Sequence, residues 1–280
     1  MTVVCSTAQP CNLLVCTDGS PASQGAVEAA FALARRRPCR ISWLLVLECN
    51  PAFASQAIDS LPAWEKEARS SLQAMVLRAE AQGLATEILV RQGEAVHRII
   101  LAEAERLQPD IIVMGRRGRT ALAGLLMGSK TARVVPLSPF NVMVVPQNPP
   151  LTLQRLLVAI DHSPCSEAAW REALCLSKAW FSHLLAVSVA QSDPELREMQ
   201  EVLQKVQGEA DREGVPLDTL LLQGNPGEAV IQAAQARGTD LLILGSHGRT
   251  ALTRLILGSV TEHIIGRARC PVLVVKRRTC

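Results

Sequence analysis

Three features that would assign the chain to a secreted, membrane or nucleic-acid-binding class are missing from its sequence. No apolar run approaches the ~20 residues that a membrane-spanning helix needs. The first residues show neither the basic segment nor the cleavage site of a signal peptide. The formal net charge is only +3 over 280 residues, whereas a nucleic-acid-binding protein usually concentrates basic residues on one face. These absences predict a cytoplasmic protein that binds neither membranes nor nucleic acids.

The nine cysteines also lack a pattern that would give them a role. They form no C-x-x-C pair and their number is odd, whereas zinc sites show close pairs and small secreted proteins show an even set. We therefore expect most of them to be small core residues in a reducing compartment. No metal-binding residue is predicted.

Several sharper functional motifs are absent as well. The run Gly128-Ser129-Lys130-Thr131 carries serine where the phosphate loop G-x-x-x-x-G-K-[ST] needs lysine. No G-x-G-x-x-G dinucleotide fingerprint follows the first predicted strand. No G-x-S-x-G nucleophile elbow occurs either. The sequence therefore excludes these three motif classes.

What the sequence does contain is an internal duplication. Residues 113–146 and 243–276 align without a gap and share G-x-x-G-R-T-A-L, then L-x-x-G-S, then a V-x-V-V ending. The segments that begin at Leu13 and Leu156 form a second matching pair, and the first copy has a longer middle, around residues 50–83. The three prolines within residues 146–150 block both helix and central strand between the copies. We therefore predict a first domain of residues 1–148 and a second of residues 149–280.

Short apolar runs alternate with helical patterns in each half. Such runs are typical of buried parallel strands, and the helices between them cross over the sheet. The predicted fold class is α/β, with two tandem doubly wound, Rossmann-like domains that each have a five-stranded parallel sheet. The predicted strands are residues 12–17, 41–47, 85–91, 110–114 and 141–145, and then 155–160, 183–189, 217–222, 240–244 and 271–275.

Aspartate, glycine and serine recur where ligands bind in such sheets, beyond the carboxyl ends of the strands. Each copy has an aspartate after its first strand, a Gly-x-x-Gly after its fourth, and a Gly-Ser step before its last helix. Glycines let the backbone approach phosphate oxygens, and a helix N-terminus offers free N–H donors and a positive dipole end. An aspartate suits hydrogen bonding to a nucleoside, and Arg119, Arg249 or Lys130 could add positive charge for a triphosphate. The pattern favours a phosphorylated ligand.

A purely structural interpretation competes with this one. A single Gly-x-x-Gly is often only a turn, and serine before a helix is usually an N-cap. Asp18 and Asp161 have the same alternative as turn or cap residues. The recurrence of the whole set in both copies favours ligand binding. His247 is interpreted as a ligand contact or a loop residue facing solvent, and the other histidines receive no role.

These residues resemble the nucleotide signature of the universal stress protein family, G-x2-G-x9-G-[ST]. It is matched by Gly115, Gly118, Gly128 and Ser129, and matched again in the second copy. The strand endings VMG and ILG and the final V-x-V-V strands are also similar to the family. The resemblance covers essentially the whole chain as two tandem domains. The second match is made by Gly245, Gly248, Gly258 and Ser259.

The resemblance implies ATP as the ligand, accompanied by Mg²⁺, with aspartate on the adenosine and late second-strand backbone on the adenine. It also implies pairing through the last strands, so that Val142–Val145 would lie beside Val272–Val275 as an internal pseudo-dimer, with a further homodimer possible. In the first copy the implied nucleotide contacts are Thr17, Asp18, Val46, Gly115, Gly118, Gly128, Ser129 and Lys130. In the second copy they are Asp161, Val187, Gly245, His247, Gly248, Gly258, Ser259 and Val260.

The two copies depart from the family pattern in different ways. The first has Arg116-Arg117 where the family has a small polar residue followed by His or Arg, and Arg116 would either clamp phosphate or crowd the loop. The second copy, with Ser246-His247, is closer to the pattern, although His162 replaces a glycine after Asp161.

The function expected from these features is that of an ATP-binding stress-response regulator, not primarily an enzyme. Hydrolysis, if present, should be slow, because no carboxylate or histidine is positioned to activate water. Two alternatives stay open. One is an interaction scaffold whose nucleotide sites are vestigial. The other is an adenylate-forming or sulfur-transfer enzyme, for which the Asp18-Gly19-Ser20 loop is too short a match.

Overall fold

A computed structural model describes residues 11–49, 61–118, 127–248 and 256–277 of the chain. These residues divide into two compact units, one ending at Asn148 and the other beginning at Pro149. Each unit has five parallel strands and its own buried core.

The first unit alternates strands and helices throughout. A single 3₁₀ turn, Pro21–Ser23, leads from the first strand into the first helix. The strands are β1 (Cys11–Cys16), β2 (Cys39–Glu48), β3 (Ala85–Gly93), β4 (Ile111–Gly115) and β5 (Asn141–Val145). The helices are α1 (Gln24–Arg36), α2 (Leu61–Glu80), α3 (Val96–Leu107) and α4 (Ser129–Leu137).

The second unit repeats the pattern. Its strands are β6 (Arg155–Ala159), β7 (His183–Ala190), β8 (Leu217–Gln223), β9 (Leu241–Gly245) and β10 (Val272–Val275). Its helices are α5 (Pro164–Trp180), α6 (Asp193–Glu213), α7 (Pro226–Ala236) and α8 (Ser259–Arg267). No helix in the described part of the chain has the length and apolar content that a bilayer crossing requires.

The strand order is the same in both units. It runs β3-β2-β1-β4-β5 in the first and β8-β7-β6-β9-β10 in the second, with parallel pairing between neighbours. In each half, the second and third strands lie on one side of the first strand and the fourth and fifth lie on its other side. The strand order therefore reverses beside the first strand. The prediction of two doubly wound domains with five parallel strands is confirmed. The pairing of the last strands of the two halves stays a prediction.

The sequence explains why the central strands lie where they do. All five residues of β4 and four of the five in β9 are buried, as expected for apolar strands that are covered on both faces. In the first unit, Phe31 of α1 is fully buried, with its ring centroid 5.6 Å from that of Trp43 in β2. Parallel pairing of β1 with β2 and with β4 places the carboxyl ends of the three strands beside one another, at the point where ligands bind in open α/β sheets.

Candidate functional site

A cavity of about 750 Å³ lies at the carboxyl edge of the first sheet. Its volume falls within the range of ordinary small-molecule sites. Its lining combines the loop after β1, the end of β2, the loop after β4, the start of α4 and one face of α2. All eight nucleotide contacts implied for the first copy line this one cavity: Thr17, Asp18, Val46, Gly115, Gly118, Gly128, Ser129 and Lys130.

The loop after β1 holds Asp18 in a fixed position. One carboxylate oxygen, Oδ1, accepts the backbone N–H of Ser20 at 3.0 Å and its hydroxyl at 2.6 Å. Thr17 Oγ1 accepts the N–H of Gly19 at 3.1 Å and lies 2.9 Å from Ser23 Oγ. Gly19 has a φ of +73°, which a residue with a side chain rarely adopts. The turn therefore fixes Asp18 before any ligand arrives.

Two of the signature glycines are required by close approaches within the protein. A Cβ on Gly118 would lie 2.8 Å from Asp18 Oδ2, and a Cβ on Gly115 would lie 2.9 Å from the carbonyl oxygen of Arg117. At Gly128 the nearest atoms would be 3.4 Å away, which is ordinary contact. The loop after β4 can therefore lie against Asp18 only because position 118 has no side chain, and it can fold back on itself only because position 115 has none.

Helix α4 begins with its first N–H groups uncapped by any side chain. Gly128 is the N-cap residue, and no side-chain hydrogen bond caps the helix there. The hydroxyl of Thr131 donates to the carbonyl oxygen of Gly115 at 2.9 Å, which fastens the helix to the end of β4. Gly128, Ser129 and Lys130 all line the cavity. The donors of this helix end are thus available to an anion in the cavity.

The opposite wall of the cavity is more apolar. Val46 lies near the carboxyl end of β2, and α2 adds the side chains of Trp64 and Ala68. Glu67 and Ser71 of the same helix also reach the cavity. The sequence did not reveal this contribution from α2, because it depends on the longer middle of the first copy, which has no counterpart in the signature.

An ion pair joins two parts of the cavity wall. Lys130 Nζ, from α4, lies 2.8 Å from Glu48 Oε2, at the last residue of β2. Both side chains are partly exposed, so the pair is screened by solvent and worth little to stability. The pair nevertheless places Lys130, the one lysine among the described lining residues, beside a carboxylate. A ligand phosphate that binds Lys130 would have to displace this carboxylate or lie next to it.

Of the two arginines that mark the first copy, Arg117 lines the cavity and Arg116 does not. The backbone N–H of Arg116 donates to the carbonyl of Val145 at 2.7 Å, and its carbonyl accepts from Gly128 at 2.9 Å. Burial, with the charge of Arg117 nearby, lowers the pKa of the Arg116 guanidinium. Arg116 is therefore a loop-positioning residue in this structure, while Arg119 and Arg249 lie outside the described residues.

The loop geometry recurs in the second half. Asp161 Oδ1 accepts the N–H of Ser163 at 3.1 Å, and a Cβ on Gly248 would lie 2.7 Å from Asp161 Oδ2. A Cβ on Gly245 would lie 2.7 Å from the carbonyl carbon of Cys165. Gly258 again forms the N-cap of the last helix without a side-chain hydrogen bond.

The rim of the second loop carries different side chains. Ser259 and Val260 are exposed at the start of α8, so Val260 stands where the first half has Lys130. His247 Nδ1 lies 2.9 Å from Ser246 Oγ, and burial lowers the pKa of its imidazole. The carbonyl oxygen of His247 accepts the hydroxyl of Ser163 at 3.3 Å.

Val187 is placed differently from Val46. It is fully buried, and its carbonyl oxygen accepts the N–H of Ile160 at 2.9 Å. In the first half the same bond runs from Thr17 to Leu44. Strand pairing therefore makes Val189, two residues further along β7, the counterpart of Val46.

The cavity described in the second half lies elsewhere. It has a volume of about 180 Å³ and lies between α5 and α6, where Trp170, Lys205 and Glu209 are among its lining residues. None of the eight contacts implied for the second copy lines it. The structure thus brings the nucleotide contacts implied for the first copy together around one cavity. In the second copy it repeats the contacts within the loops.

The described residues bring no three His, Cys, Asp or Glu side chains into an arrangement that would hold a metal ion. Magnesium commonly binds through one or two carboxylates together with substrate phosphates. Asp18 and Glu67 line the cavity outside the Lys130–Glu48 ion pair, so two carboxylates are present that fit a magnesium ion arriving with a polyphosphate.

Both halves have the same fold and the same loop geometry. The chain is therefore a tandem Rossmann-like α/β protein, with a small-molecule cavity at the carboxyl ends of the strands of its first half. A family model described as "Universal stress protein family" matches residues 12–146 and again residues 152–276. The chain belongs to the universal stress protein family.

Individual relatives agree with this assignment over nearly the whole chain. Universal stress protein Mb2019 of Mycobacterium bovis is 29% identical and covers 96% of each chain. Universal stress protein Slr1230 of Synechocystis is 24% identical over 95% of this chain and 99% of its own. The crystal structure of a universal stress protein from Archaeoglobus fulgidus superposes with a TM-score of 0.77 at 22% identity, covering 96% of this chain and 98% of that one. The similarity to this crystal structure shows a shared fold.

Lys276, directly after β10, is the most strongly perturbed base near the second loop. It is only 9% exposed, and burial lowers the pKa of its amine to about 8. The folded protein therefore releases this proton near pH 8, whereas the unfolded chain keeps it up to a pKa near 10.5. Between these values the unfolded state binds more protons, so the free energy of unfolding should increase with pH.

We predict that Lys276→Met stabilises the protein at pH 7 by about 1–3 kcal/mol, because each pKa unit corresponds to about 1.4 kcal/mol. The variant should also lose the increase in unfolding free energy between pH 8 and pH 10. Denaturant titrations at several pH values measure both effects. Lys178→Met, at an exposed lysine paired with Glu213, is the control that should change neither. A wild-type unfolding free energy that stays flat from pH 8 to 10 would contradict the prediction.

Proposed function

We propose that this protein is an ATP-binding regulator of the stress response, with one nucleotide site in the first-half cavity and a second at the repeated loop. The observation that carries the proposal is the convergence of all eight first-copy contacts on one cavity of nucleotide-compatible size. Membership in the universal stress protein family supports the regulatory role. The cytoplasmic location stays an expectation from the sequence.

The chemistry of the cavity wall suggests how ATP would lie. The apolar side formed by β2 and α2 suits the adenine ring, with the backbone near Val46 available for its polar edge. Asp18, already fixed by Ser20, offers Oδ2 on the side of Gly118 and suits a ribose hydroxyl. The uncapped start of α4 and the Lys130 ammonium favour the phosphates, and a magnesium ion would accompany them.

Hydrolysis of bound ATP is expected to be slow. No histidine is among the residues that line the described cavity. Of its carboxylates, Asp18 accepts two hydrogen bonds from Ser20 and Glu48 is paired with Lys130. These bonds occupy Asp18 Oδ1 and Glu48, and the other Asp18 oxygen is assigned to the ribose. A general base must reach the attacking water with a free lone pair. Glu67, the remaining carboxylate of the described lining, lies on the α2 wall assigned to the adenine, opposite the start of α4 where the phosphates are placed. The proposal is therefore one of nucleotide-dependent regulation, and turnover is a minor property.

Isothermal titration calorimetry with ATP, ADP, AMP and GTP tests the proposal directly. We expect ATP to bind with a stoichiometry of up to two per chain and GTP to bind more weakly, because guanine has more polar groups to desolvate against the more apolar wall formed by β2 and α2. Binding of no nucleotide, together with an unchanged melting temperature on adding ATP, would support the alternative of a scaffold with vestigial sites. Release of pyrophosphate would instead support an adenylate-forming enzyme.

The Lys130–Glu48 ion pair gives a second, graded test. Lys130→Met should weaken ATP binding about threefold to tenfold, the effect of losing one charge-assisted contact of about 1 kcal/mol. It should leave AMP affinity nearly unchanged if the lysine contacts the distal phosphates. Glu48→Gln should strengthen ATP binding about threefold, because it removes both the competitor and a negative charge.

The matched control is Lys178→Met, which removes an exposed lysine from an ion pair of the second half. It should change the affinity for neither nucleotide. Equal losses for ATP and AMP in Lys130→Met would place the lysine near the nucleoside instead. An unchanged ATP affinity in both Lys130→Met and Glu48→Gln would show that the ion pair takes no part in nucleotide binding.

A further inference from the structure

Two cysteines begin the first two strands of the sheet side by side. Cys11 is the first residue of β1 and Cys39 is the first residue of β2, and the two are direct partners in the parallel register. Neighbouring strands lie about 4.7–4.9 Å apart, and disulfides join Cα atoms about 4.4–6.8 Å apart. The register therefore places both residues at a spacing that a disulfide can bridge without moving a strand.

The two cysteines are neighbours across the strand pair in the reduced protein. Both are buried free thiols, and cross-strand partners place their side chains on the same face of the sheet. Cys39 Sγ also lies 3.3 Å from the carbonyl oxygen of Arg37. Arg37 precedes Cys39 by two residues, and its Nη2 lies 3.8 Å from Asp110 Oδ2. A positive charge thus lies close to a pair of neighbouring thiols.

This environment separates the pair from other cysteines of the core. The hydrogen bond from Cys11 and the charge of Arg37 lower the pKa of the Cys39 thiol. The pKa of Cys11 is raised, because its proton is shared with Cys39 and its site is buried. Cys16 shows what burial alone does, since it raises the pKa of that thiol to about 12. A thiol that ionises next to a resolving thiol is the arrangement found at oxidisable sites.

We propose that Cys11 and Cys39 form a reversible disulfide when the protein meets a hydroperoxide. The site lies at the amino edge of the sheet, opposite the carboxyl-edge cavity, and is independent of nucleotide binding. Both residues are only 4% exposed, but each is the terminal residue of its strand, where local opening costs least. A small oxidant such as hydrogen peroxide can therefore reach them without global unfolding.

The reaction proceeds in two steps. The Cys39 thiolate attacks one oxygen of the hydroperoxide, the O–O bond breaks, and the products are the Cys39 sulfenic acid and an alcohol, or water from hydrogen peroxide. The Cys11 sulfur then attacks the Cys39 sulfur, the S–S bond forms, and the S–O bond breaks to release water that takes up the Cys11 proton. The two thiols lose two electrons, which reduce the hydroperoxide.

Peptide mapping after treatment with stoichiometric hydrogen peroxide tests the proposal on the full chain. We expect a cross-linked peptide containing Cys11 and Cys39, formed with the loss of two hydrogen atoms and reversed by dithiothreitol. Cys16→Ser, on the same strand, is the control and should give the same cross-link. Arg37→Gln should slow cross-linking about threefold, because the lost thiolate fraction is partly offset by the higher nucleophilicity of a less acidic thiol. Arg37→Lys should retain most of the rate.

Several outcomes would overturn the proposal. One is a protein in which Cys11 and Cys39 remain fully alkylatable while other cysteines oxidise. Another is accumulation of Cys39 sulfinic acid without the cross-link, which would show that Cys11 does not resolve the intermediate. Equal cross-linking rates in wild type, Arg37→Gln and Arg37→Lys would show that Arg37 does not promote the reaction. The wild-type peptide map alone decides the main point, so no variant has to fold for the test to succeed.

Discussion

The double variant Gly118→Val, Gly248→Val should lose ATP binding by at least about a hundredfold, equivalent to roughly 2.7 kcal/mol. A Cβ at position 118 would lie 2.8 Å from Asp18 Oδ2, and one at position 248 would lie 2.7 Å from Asp161 Oδ2. Each added side chain therefore displaces the aspartate proposed to hold the nucleoside and enters the space beside it. Isothermal titration calorimetry measures the loss.

The single variants separate the two proposed sites. Gly118→Val should remove the binding event assigned to the first-half cavity, and Gly248→Val should remove the event assigned to the second loop. Gly208→Ala is the control, because a Cβ there meets no atom within 4 Å. Undiminished ATP affinity in the double variant, with an unchanged circular dichroism spectrum, would rule out both sites.

Gly25→Ala should be among the most destabilising single-methyl substitutions in the chain, at about 3 kcal/mol. A Cβ at this position in α1 would lie 2.0 Å from the carbonyl oxygen of Pro146 and 3.0 Å from that of Gln147. Both neighbours are backbone atoms, so they cannot rotate away as a flexible side chain would. The segment after β5 or the start of α1 has to move. Denaturant unfolding of the variant measures the cost.

Gly208→Ala, inside α6, gives the opposite expectation. Its Cβ would meet open space, and alanine is favoured over glycine in a helix by about 1 kcal/mol. The two variants make the same chemical change in two helices, so the difference between them isolates the contact with residues 146 and 147. Equal stabilities for Gly25→Ala and Gly208→Ala would show that the first unit relaxes around the added methyl group without cost.

The sequence predicts the fold well because parallel strands carry a strong apolar signal. The strands found at β4 and β9 begin one residue after the predicted starts, at residues 110 and 240. The strand β2 is longer than predicted, from Cys39 to Glu48, because its ends are polar and pairing with β3 extends past the apolar run. Hydrophobic patterning locates buried strands, whereas pairing with a neighbour determines where they end.

The candidate site was only partly predictable. The glycines, serines and aspartates recur in both copies, so their positions could be read from the duplication. Glu48, Trp64 and Glu67 have no such signal, since they reach the cavity through the end of β2 and through α2. The sequence predicted Val187, whereas strand register makes Val189 the counterpart of Val46, and register depends on hydrogen bonds between strands and not on local sequence. The pairing of Cys11 with Cys39 has the same origin, because their separation along the chain hides it.

Each half has five strands and a core of its own, so the duplicated copies can differ from each other without losing the fold. His162 occupies the position of Gly19 and keeps the same left-handed backbone, with φ values of +68° and +73°, although such a conformation costs a non-glycine residue about 1 kcal/mol or more. The bond from Thr131 to Gly115 reappears between Thr261 and Gly245 at the same 2.9 Å. The two copies therefore differ at the rim, with Lys130 in one and Val260 in the other, and agree wherever the turn must close on itself. A directed-evolution library aimed at a new ligand should randomise the rim and leave the closing contacts intact.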